Sequence, residues 1–384
     1  MSVWPIIPLG QLIEEVSERN RDMNCTDIYS VTNSQGFVAS EDYFNKKVFS
    51  KDITNYKLVR RGMFAYNPSR INVGSISWLQ SKECVAVSPL YVVFRLTSED
   101  VLQRWIEYFL HSDMGLTQIR SLTSGSVRDS LKYSALERIE IPVAPIEKQR
   151  DMVENMEAVD EAIDVCQTIL DKTEELVKSR FIEMFGDPVT NPHGWEKVPL
   201  SDLAEIKIGP FGTLLHKEDY ITGGHPLVNP SHIHDGAIVT DGKLTISDEK
   251  YEELSAYHLF ENDVVMGRRG EMGRCAVVKE AGLLCGTGSM IIRSLGEVRA
   301  DFLQKIISFP SFKKTIEDMA VGQTMPNLNV PIVSRLEIIK PPTEVQDAYY
   351  DFVALADKSE YGELLNRQFS LKNAMFADFY HTKA

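Results

Sequence analysis

The stretch Arg138-Ile139-Glu140-Ile141-Pro142-Val143-Ala144-Pro145-Ile146-Glu147-Lys148-Gln149 returns later in the chain as Arg335-Leu336-Glu337-Ile338-Ile339-Lys340-Pro341-Pro342-Thr343-Glu344-Val345-Gln346. Arg138, Glu140, Ile141, Pro145, Glu147 and Gln149 reappear unchanged, each 197 positions on. Upstream of it, Gly125 and Leu131 recur as Gly322 and Leu328 at the same spacing, and Gly74 matches Gly273 with a shift of 199. Near the start, Trp4, Pro8, Leu9, Leu12 and Glu14 recur as Trp195, Pro199, Leu200, Leu203 and Glu205, every pair 191 apart. A period near half the chain is unlike a solenoid, whose units run about 20–50 residues. It marks a duplicated domain followed by a helix. Such a tandem duplicate tends to build a pseudo-twofold object suited to a bipartite target.

The 384 residues leave each half room for its own core. With 43% hydrophobic and 25% charged residues, the composition is that of a soluble globular protein. No apolar run is long enough to cross a bilayer, and Met1-Ser2-Val3-Trp4-Pro5 lacks the features of a secretory signal, so a cytoplasmic protein is expected. The five cysteines show no C-x2-C spacing and read as reduced thiols. His232 and His234 could share one strand face, but no further ligand stands at supporting spacing, so no metal is expected.

A net charge of −14 argues at face value against nucleic acid. Its distribution along the chain reverses that argument. Residues 146–187 carry 12 acids against 5 bases, and residues 343–384 carry 7 against 4. Residues 1–145 have 16 of each sign, so the larger segments are near neutral and can still present a basic face.

Within 146–185, Met152, Met156, Val159, Ile163, Cys166, Leu170, Thr173, Val177 and Met184 follow the alternating spacing of a coiled-coil seam. Gly186-Asp187-Pro188 stops the helix. A second helix begins at Thr343-x-x-Gln346, a capping-box pattern, and Gly362 weakens it midway. Each stripe needs a partner, and the cheapest partner is the other stripe. Outside them, β-branched runs at Val85–Leu96, Asp263–Met266, Ala276–Lys279 and Ser289–Ser294 predict strands, and Val101–His111 and Ala300–Lys314 predict helices. The expected fold is α+β. Two similar β-rich domains, 1–145 and 188–342, are separated by two long antiparallel coiled-coil helices, 146–187 and 343–384, in a pseudo-twofold arrangement.

This layout resembles the DNA specificity (S) subunit of Type I restriction–modification systems, across essentially the whole chain. Trp195-x3-Pro199-Leu200-x2-Leu203, Gly209-Pro210-Phe211-Gly212-Thr213 and Asp219-Tyr220 look like the opening of a target recognition domain. Residues Tyr66 to Ile76 are similar to a stretch frequent in first recognition domains. Gly322-Gln323-Thr324 with Asn327-Leu328, leading into Leu336-x-Ile338-x2-Pro341-Pro342, resembles such a domain's end. Each long helix opens with the Glu-x-Gln of the family's spacers. The first copy departs from the pattern. It ends Ser124-Gly125-Ser126-Val127-Arg128 and has no Gly-Pro-Phe-Gly-Thr near residue 20, so an asymmetric target is expected.

The resemblance implies a noncatalytic chain whose two recognition domains each read half of a bipartite double-stranded DNA sequence. It implies helices that set the gap and dock methyltransferase subunits, two in number, with motor-nuclease subunits joining the full complex. S-adenosylmethionine, ATP and magnesium then belong to the partners, and this chain holds no cofactor. For phosphate contacts the candidates are Lys46, Lys47, Lys51, Lys57, Arg60 and Arg61, interleaved with aromatics. For base reading they are Ser69, Arg70, Asn72, Ser126 and Arg128 in the first domain. In the second they are His232, Arg268, Arg269, Arg274, Gln323, Thr324 and Asn327. Arg is the usual guanine reader, and Asn and Gln the usual adenine readers. Against this stand blander roles: Asn72 and Asn327 as turn residues, Arg274 as a partner of Glu271.

Two rivals remain. A DNA amino-methyltransferase is suggested by Asn67-Pro68-Ser69 and Gly286-Thr287-Gly288, but the second proline and aromatic of the base-holding motif are missing. A coiled-coil adaptor that binds protein or glycan suits the acidic charge.

Overall fold

Each copy begins and ends on the same two-stranded ribbon. Ile6–Pro8 runs antiparallel to Glu140–Pro142, with Ile6 opposite Pro142 and Pro8 opposite Glu140. Lys197–Pro199 runs antiparallel to Glu337–Ile339, with Lys197 opposite Ile339 and Pro199 opposite Glu337. The partners are the ones that the 191 and 197 shifts dictate, so the duplication extends to strand register. This computed structural model describes residues 4–43, 52–123, 130–270, 272–320, 327–356 and 359–381.

The chain divides into two compact units, Met1–Leu170 with Ser359–Ala384, and Asp171–Lys358. In the first, a four-stranded antiparallel sheet has the order Ile13–Glu15, Val92–Leu96, Phe64–Tyr66, Ile76–Trp78. Phe64 and Phe94 face each other across it and stack at 4.9 Å. Helix Gln103–His111 lays Trp105, Ile106, Phe109 and Leu110, one apolar stripe, against this sheet. Met152, Val153 and Met156 of the helix Ile146–Phe185 join the same core, and Met375 packs against it. Asp160 accepts a bond from the Tyr108 hydroxyl at 2.8 Å and pairs with Lys372. The last helix therefore docks here through both charge and packing.

The second unit repeats the plan. Its sheet order is Ala204–Ile208, Ser289–Ser294, Asp263–Gly267, Cys275–Val277, and helices Ala300–Ile307 and Pro310–Met319 cover it. Phe181 and Phe185, from the end of the long helix, meet Phe302 and Tyr349 in an edge-packed aromatic group. The Tyr349 hydroxyl donates to the Val177 carbonyl at 3.3 Å. Here the copies also diverge. The second unit has a five-stranded sheet containing the parallel pair Leu227–Leu284, whereas the first has the ribbons Tyr29–Thr32/Gly36–Ala39 and Lys57–Arg60/Cys84–Val87.

The mixed α+β fold is as expected, and the seam residues Met152, Met156, Val159 and Cys166 are buried. Three boundaries differ. The run Val85–Leu96 is two strands, Cys84–Val87 and Val92–Leu96, because Pro89 interrupts it. The helix expected over 300–314 stops at Ile307, and Pro310 starts a new one, as proline at a first helical turn does. The last helical region, expected as one helix, is described as Thr343–Leu355 and Ser359–His381, with Gly362 inside the second. Among the described residues no helix is long and apolar enough to cross a membrane. All five cysteines are free.

Candidate nucleic-acid interface

In an antiparallel sheet, strands that leave one end meet strands that enter it, so their loops cluster. In the second unit Ile208 lies opposite Met290, and Gly267 opposite Ser289. The loops after 208 and 267 and before 289 therefore share one end. Close backbone approach holds them together. A Cβ on Gly209 would lie 2.0 Å from the Gly286 carbonyl oxygen, and one on Gly286 would lie 2.2 Å from Asn229 Oδ1. Gly288 and Gly267 both abut the Pro230 ring, where added Cβ atoms would approach to 2.9 and 3.1 Å. Gly286-Thr287-Gly288 is thus a packing surface for the Asn229-Pro230 turn, which accounts for its glycines without a cofactor loop.

On this base the loop 268–274 is fixed at several points. Arg268 N–H donates to Gly288 O at 3.0 Å, and its Nε donates to Asn327 Oδ1 at 3.1 Å. Burial, with Arg269 beside it, pushes the Arg268 guanidinium below its ordinary value. Leu328 N–H donates to Arg268 O at 3.0 Å, and Arg269 and Asn327 form a backbone bridge. Arg274 donates to Pro230 O at 3.3 Å and lines a cleft of about 420 Å³ with His234, Gln304, Lys305 and Lys313. His232 is buried with Nδ1 2.7 Å from Leu227 O, so this ring holds the turn.

The first unit forms the equivalent loop, 67–75, at the equivalent sheet end. Asn67 Oδ1 accepts from Ser69 N–H at 3.1 Å and Ser69 Oγ–H at 2.8 Å, a side-chain turn that stiffens the entry. Gly74 closes the loop at φ +88°, a left-handed conformation that glycine adopts without strain. Leu131 N–H donates to Pro68 O at 2.9 Å, the counterpart of the Leu328 bond. Arg70 is exposed, Asn72 half-buried, and a cleft of about 430 Å³ is lined by Arg70, Asn67, Ser75, Tyr91, Thr32 and Asn33.

The structure thus brings Arg268, Arg269, Asn327, Arg274 and His232 into one loop cluster, and Ser69, Arg70 and Asn72 into its counterpart. Lys57, Arg60 and Arg61 lie elsewhere and already face carboxylates. Arg60 holds Glu18 through two bonds, at 2.6 and 3.1 Å, and Arg61 holds Glu83 at 2.8 Å. Lys57 is only 11% exposed beside Glu15, and burial, opposed by Glu15, lowers its ammonium from the usual lysine range. Lys46, Lys47, Lys51, Ser126, Arg128, Gln323 and Thr324 fall outside the described residues. Asn33, which lines the cleft with Arg70, is not among the sequence candidates, because a polar residue in a hairpin turn carries no distinguishing signal.

These features define a class: a tandem-duplicated α+β chain with one loop cluster at the same sheet end of each copy. Comparison with known proteins makes it particular. Residues 192–360 match the family model described as "Type I restriction modification DNA specificity domain". The Type I restriction enzyme MjaVIII specificity subunit of Methanocaldococcus jannaschii is 18% identical over 249 residues, which cover 60% of this chain and 58% of that protein. The match thus spans less than two thirds of that relative's length. The crystal structure of the Type-I restriction-modification system S subunit from M. genitalium aligns with a TM-score of 0.61 at 13% identity, covering 100% of this chain and 97% of that one. A chain from work on complex assembly and conformational transition of the type I R-M system aligns at 0.58 and 17% identity, covering 98% and 97%. At such identities the structural likeness is one of fold. The resemblance read from the sequence is borne out, with residues 192–360 matching the Type I DNA specificity domain model.

Proposed function

We propose that this chain is the noncatalytic DNA sequence-specificity subunit of a Type I restriction–modification complex. Each unit reads one half of a bipartite, asymmetric target in double-stranded DNA. The observation that carries this reading is the paired loop cluster: two copies of one loop, at one end of one sheet design, in a chain with a DNA specificity domain match. The adaptor alternative has no such support.

The helices set the gap and dock two methyltransferase subunits, and motor-nuclease subunits complete the assembly. At 1.5 Å per residue the helix Ile146–Phe185 is about 60 Å long, enough to hold half-sites about one DNA turn apart, ~34–36 Å. An antiparallel helical pair is supported by contacts within each unit. Asp160, early in the first helix, pairs with Lys372, late in the last; Val177, late in the first, meets Tyr349, early in the last. The acidic helix surfaces discourage nonspecific DNA binding there. Bound S-adenosylmethionine, ATP and magnesium belong to the partner subunits.

The test is to sequence modified adenines in DNA from a host that carries this chain with its methyltransferase partner. Two short, unlike half-sites at a fixed gap are expected. Modification without any bipartite pattern would overturn the reading.

A further inference from the structure

Several arginines of this chain are engaged by their own unit. Arg60, Arg61, Arg95, Arg104, Arg293 and Arg299 each hold a carboxylate. Arg70 and Arg269 do not. Both are exposed, and neither makes an ion pair or a side-chain hydrogen bond among the described residues.

Counted back from the loop's closing glycine, they also hold one position of the duplication. The second loop is one residue shorter on its entering side, between Met266 and Cys275 as against Tyr66 and Ile76. The 199 residues between them equal the shift that relates Gly74 to Gly273. Each stands four residues before that glycine, which has φ +88° in one unit and +72° in the other. Each lies in the loop that joins the same two strands, Phe64–Tyr66 to Ile76–Trp78 and Asp263–Gly267 to Cys275–Val277. Both loops are pinned from the far side by an equivalent leucine, through Leu131 N–H to Pro68 O and Leu328 N–H to Arg268 O. The backbone is fixed, and no described residue engages the guanidinium. Such an arrangement spends little entropy on binding and keeps a two-pronged donor available.

We propose that Arg70 and Arg269 are the guanine readers of the two half-sites, one in each, and that Arg268 is a positioning residue. This rests on the reading of the chain as a DNA specificity subunit. A guanidinium presents two parallel N–H donors that match O6 and N7 of guanine in the major groove, a fit that lysine does not reproduce. Arg268 is adjacent but only 9% exposed, and its Nε is committed to Asn327. Its part is to hold the loop so that Arg269 projects. In the first unit, Asn33 and Asn67 line the cleft beside Arg70 and flank the same reading position.

The experiment is selection of bound duplexes from a randomised pool by the full chain co-purified with its methyltransferase partner, followed by binding to single-base variants. Wild type is expected to select a G·C pair in each half. Arg70→Ala should reduce discrimination for that guanine by about 5- to 150-fold while leaving the other half-site intact. Arg269→Ala should do the converse, and Arg70→Lys and Arg269→Lys should retain binding at low salt but lose most of the discrimination. Arg268→Ala should weaken the whole second half-site together with the unit's thermal stability. The proposal is overturned if Arg269→Ala or Arg70→Ala weakens every sequence equally and lowers the salt slope by about one, the mark of a phosphate contact. It is overturned too if the relaxed position is not guanine. A wild-type complex without any sequence preference would instead sink the proposed function, so the two failures are distinct.

Discussion

Gln149 and Gln346, 197 positions apart, make the same three hydrogen bonds to partners that are themselves 197 apart. Each Oε1 accepts from a backbone N–H, that of Leu102 or Arg299, at 3.0 Å. Each Nε2 donates to two carbonyls: Asp100 and Ala144 at 2.8 and 2.7 Å in one unit, Glu297 and Pro341 at 3.4 and 2.9 Å in the other. Both side chains are fully buried. Only a primary amide supplies one acceptor and two donors from a single flat group of this size. The Gln of the Glu-x-Gln at the start of each long helix is therefore a latch that ties the helix to the loop before the preceding core helix, Gln103–His111 or Ala300–Ile307.

Removing either latch takes a partner from three backbone groups, of which the Ala144 or Pro341 carbonyl is buried. Gln149→Leu and Gln346→Leu are each expected to cost about 3 kcal/mol, read as a lower urea midpoint. Gln149→Glu should be no better at neutral pH, since a carboxylate would face two carbonyl oxygens. A Glu variant as stable as wild type would show that the latch contributes nothing.

Asp187, after the long helix, accepts bonds from Val189 N–H and Thr190 N–H at 2.8 and 3.0 Å. Burial works to raise its carboxyl. The bonds from Thr190 and Val189, with Ser311 and Lys197 nearby, outweigh burial and hold the carboxyl below the ordinary aspartate value. A depressed carboxyl contributes stability above its unfolded pKa, about 3.9, and loses it as the pH falls through the folded value. Wild type should accordingly lose stability on the acid side below about pH 4, and Asp187→Asn should flatten that limb. An identical acid limb in the variant would contradict this.

Thiol chemistry checks the cores. Burial, with Cys84 nearby, pushes Cys25 up to about 11, and burial pushes Cys275 up to about 12 and raises Cys285 as well. Cys84 is partly exposed. An aromatic disulfide reagent at pH 8 should label Cys84 quickly and the other four only on unfolding. Rapid labelling of Cys275 or Cys285 in the native protein would mean that the second unit's core is not closed.

If the helices measure the gap, four residues inserted into both, within 160–175 and 360–375, add about 6 Å. The preferred gap between half-sites should lengthen, read by sequencing of modified adenines. A gap that does not move counts against the ruler.

The duplication, the first long helix and the strand types are legible in the sequence because periodicity and repeated residues encode them directly. The seam residues Met152 and Met156 are core, as their spacing implies. Phe181 and Phe185 lie off that seam, yet they are the fully buried anchors in the second unit, because a globular core and not only a partner helix covers them. The site is legible only in part. Arg70 and Arg269 carry a visible chemistry, but sequence cannot tell an uncommitted guanidinium from one engaged as Arg60 is. Arg268 and Arg269 are neighbours of one residue type, and burial alone separates their roles. His232 has the chemistry of a base reader and is instead a buried brace, since its ring bonds five residues back to Leu227.

A ribbon opens and closes each duplicated domain. With Ile7 opposite Ile141 and Val198 opposite Ile338, the first and last strands of each domain are adjacent. A domain is then a cartridge with its two connectors side by side. Recombination at those connectors could exchange one cartridge for another without rerouting the remaining polypeptide, so new pairings of half-specificities need only two compatible seams.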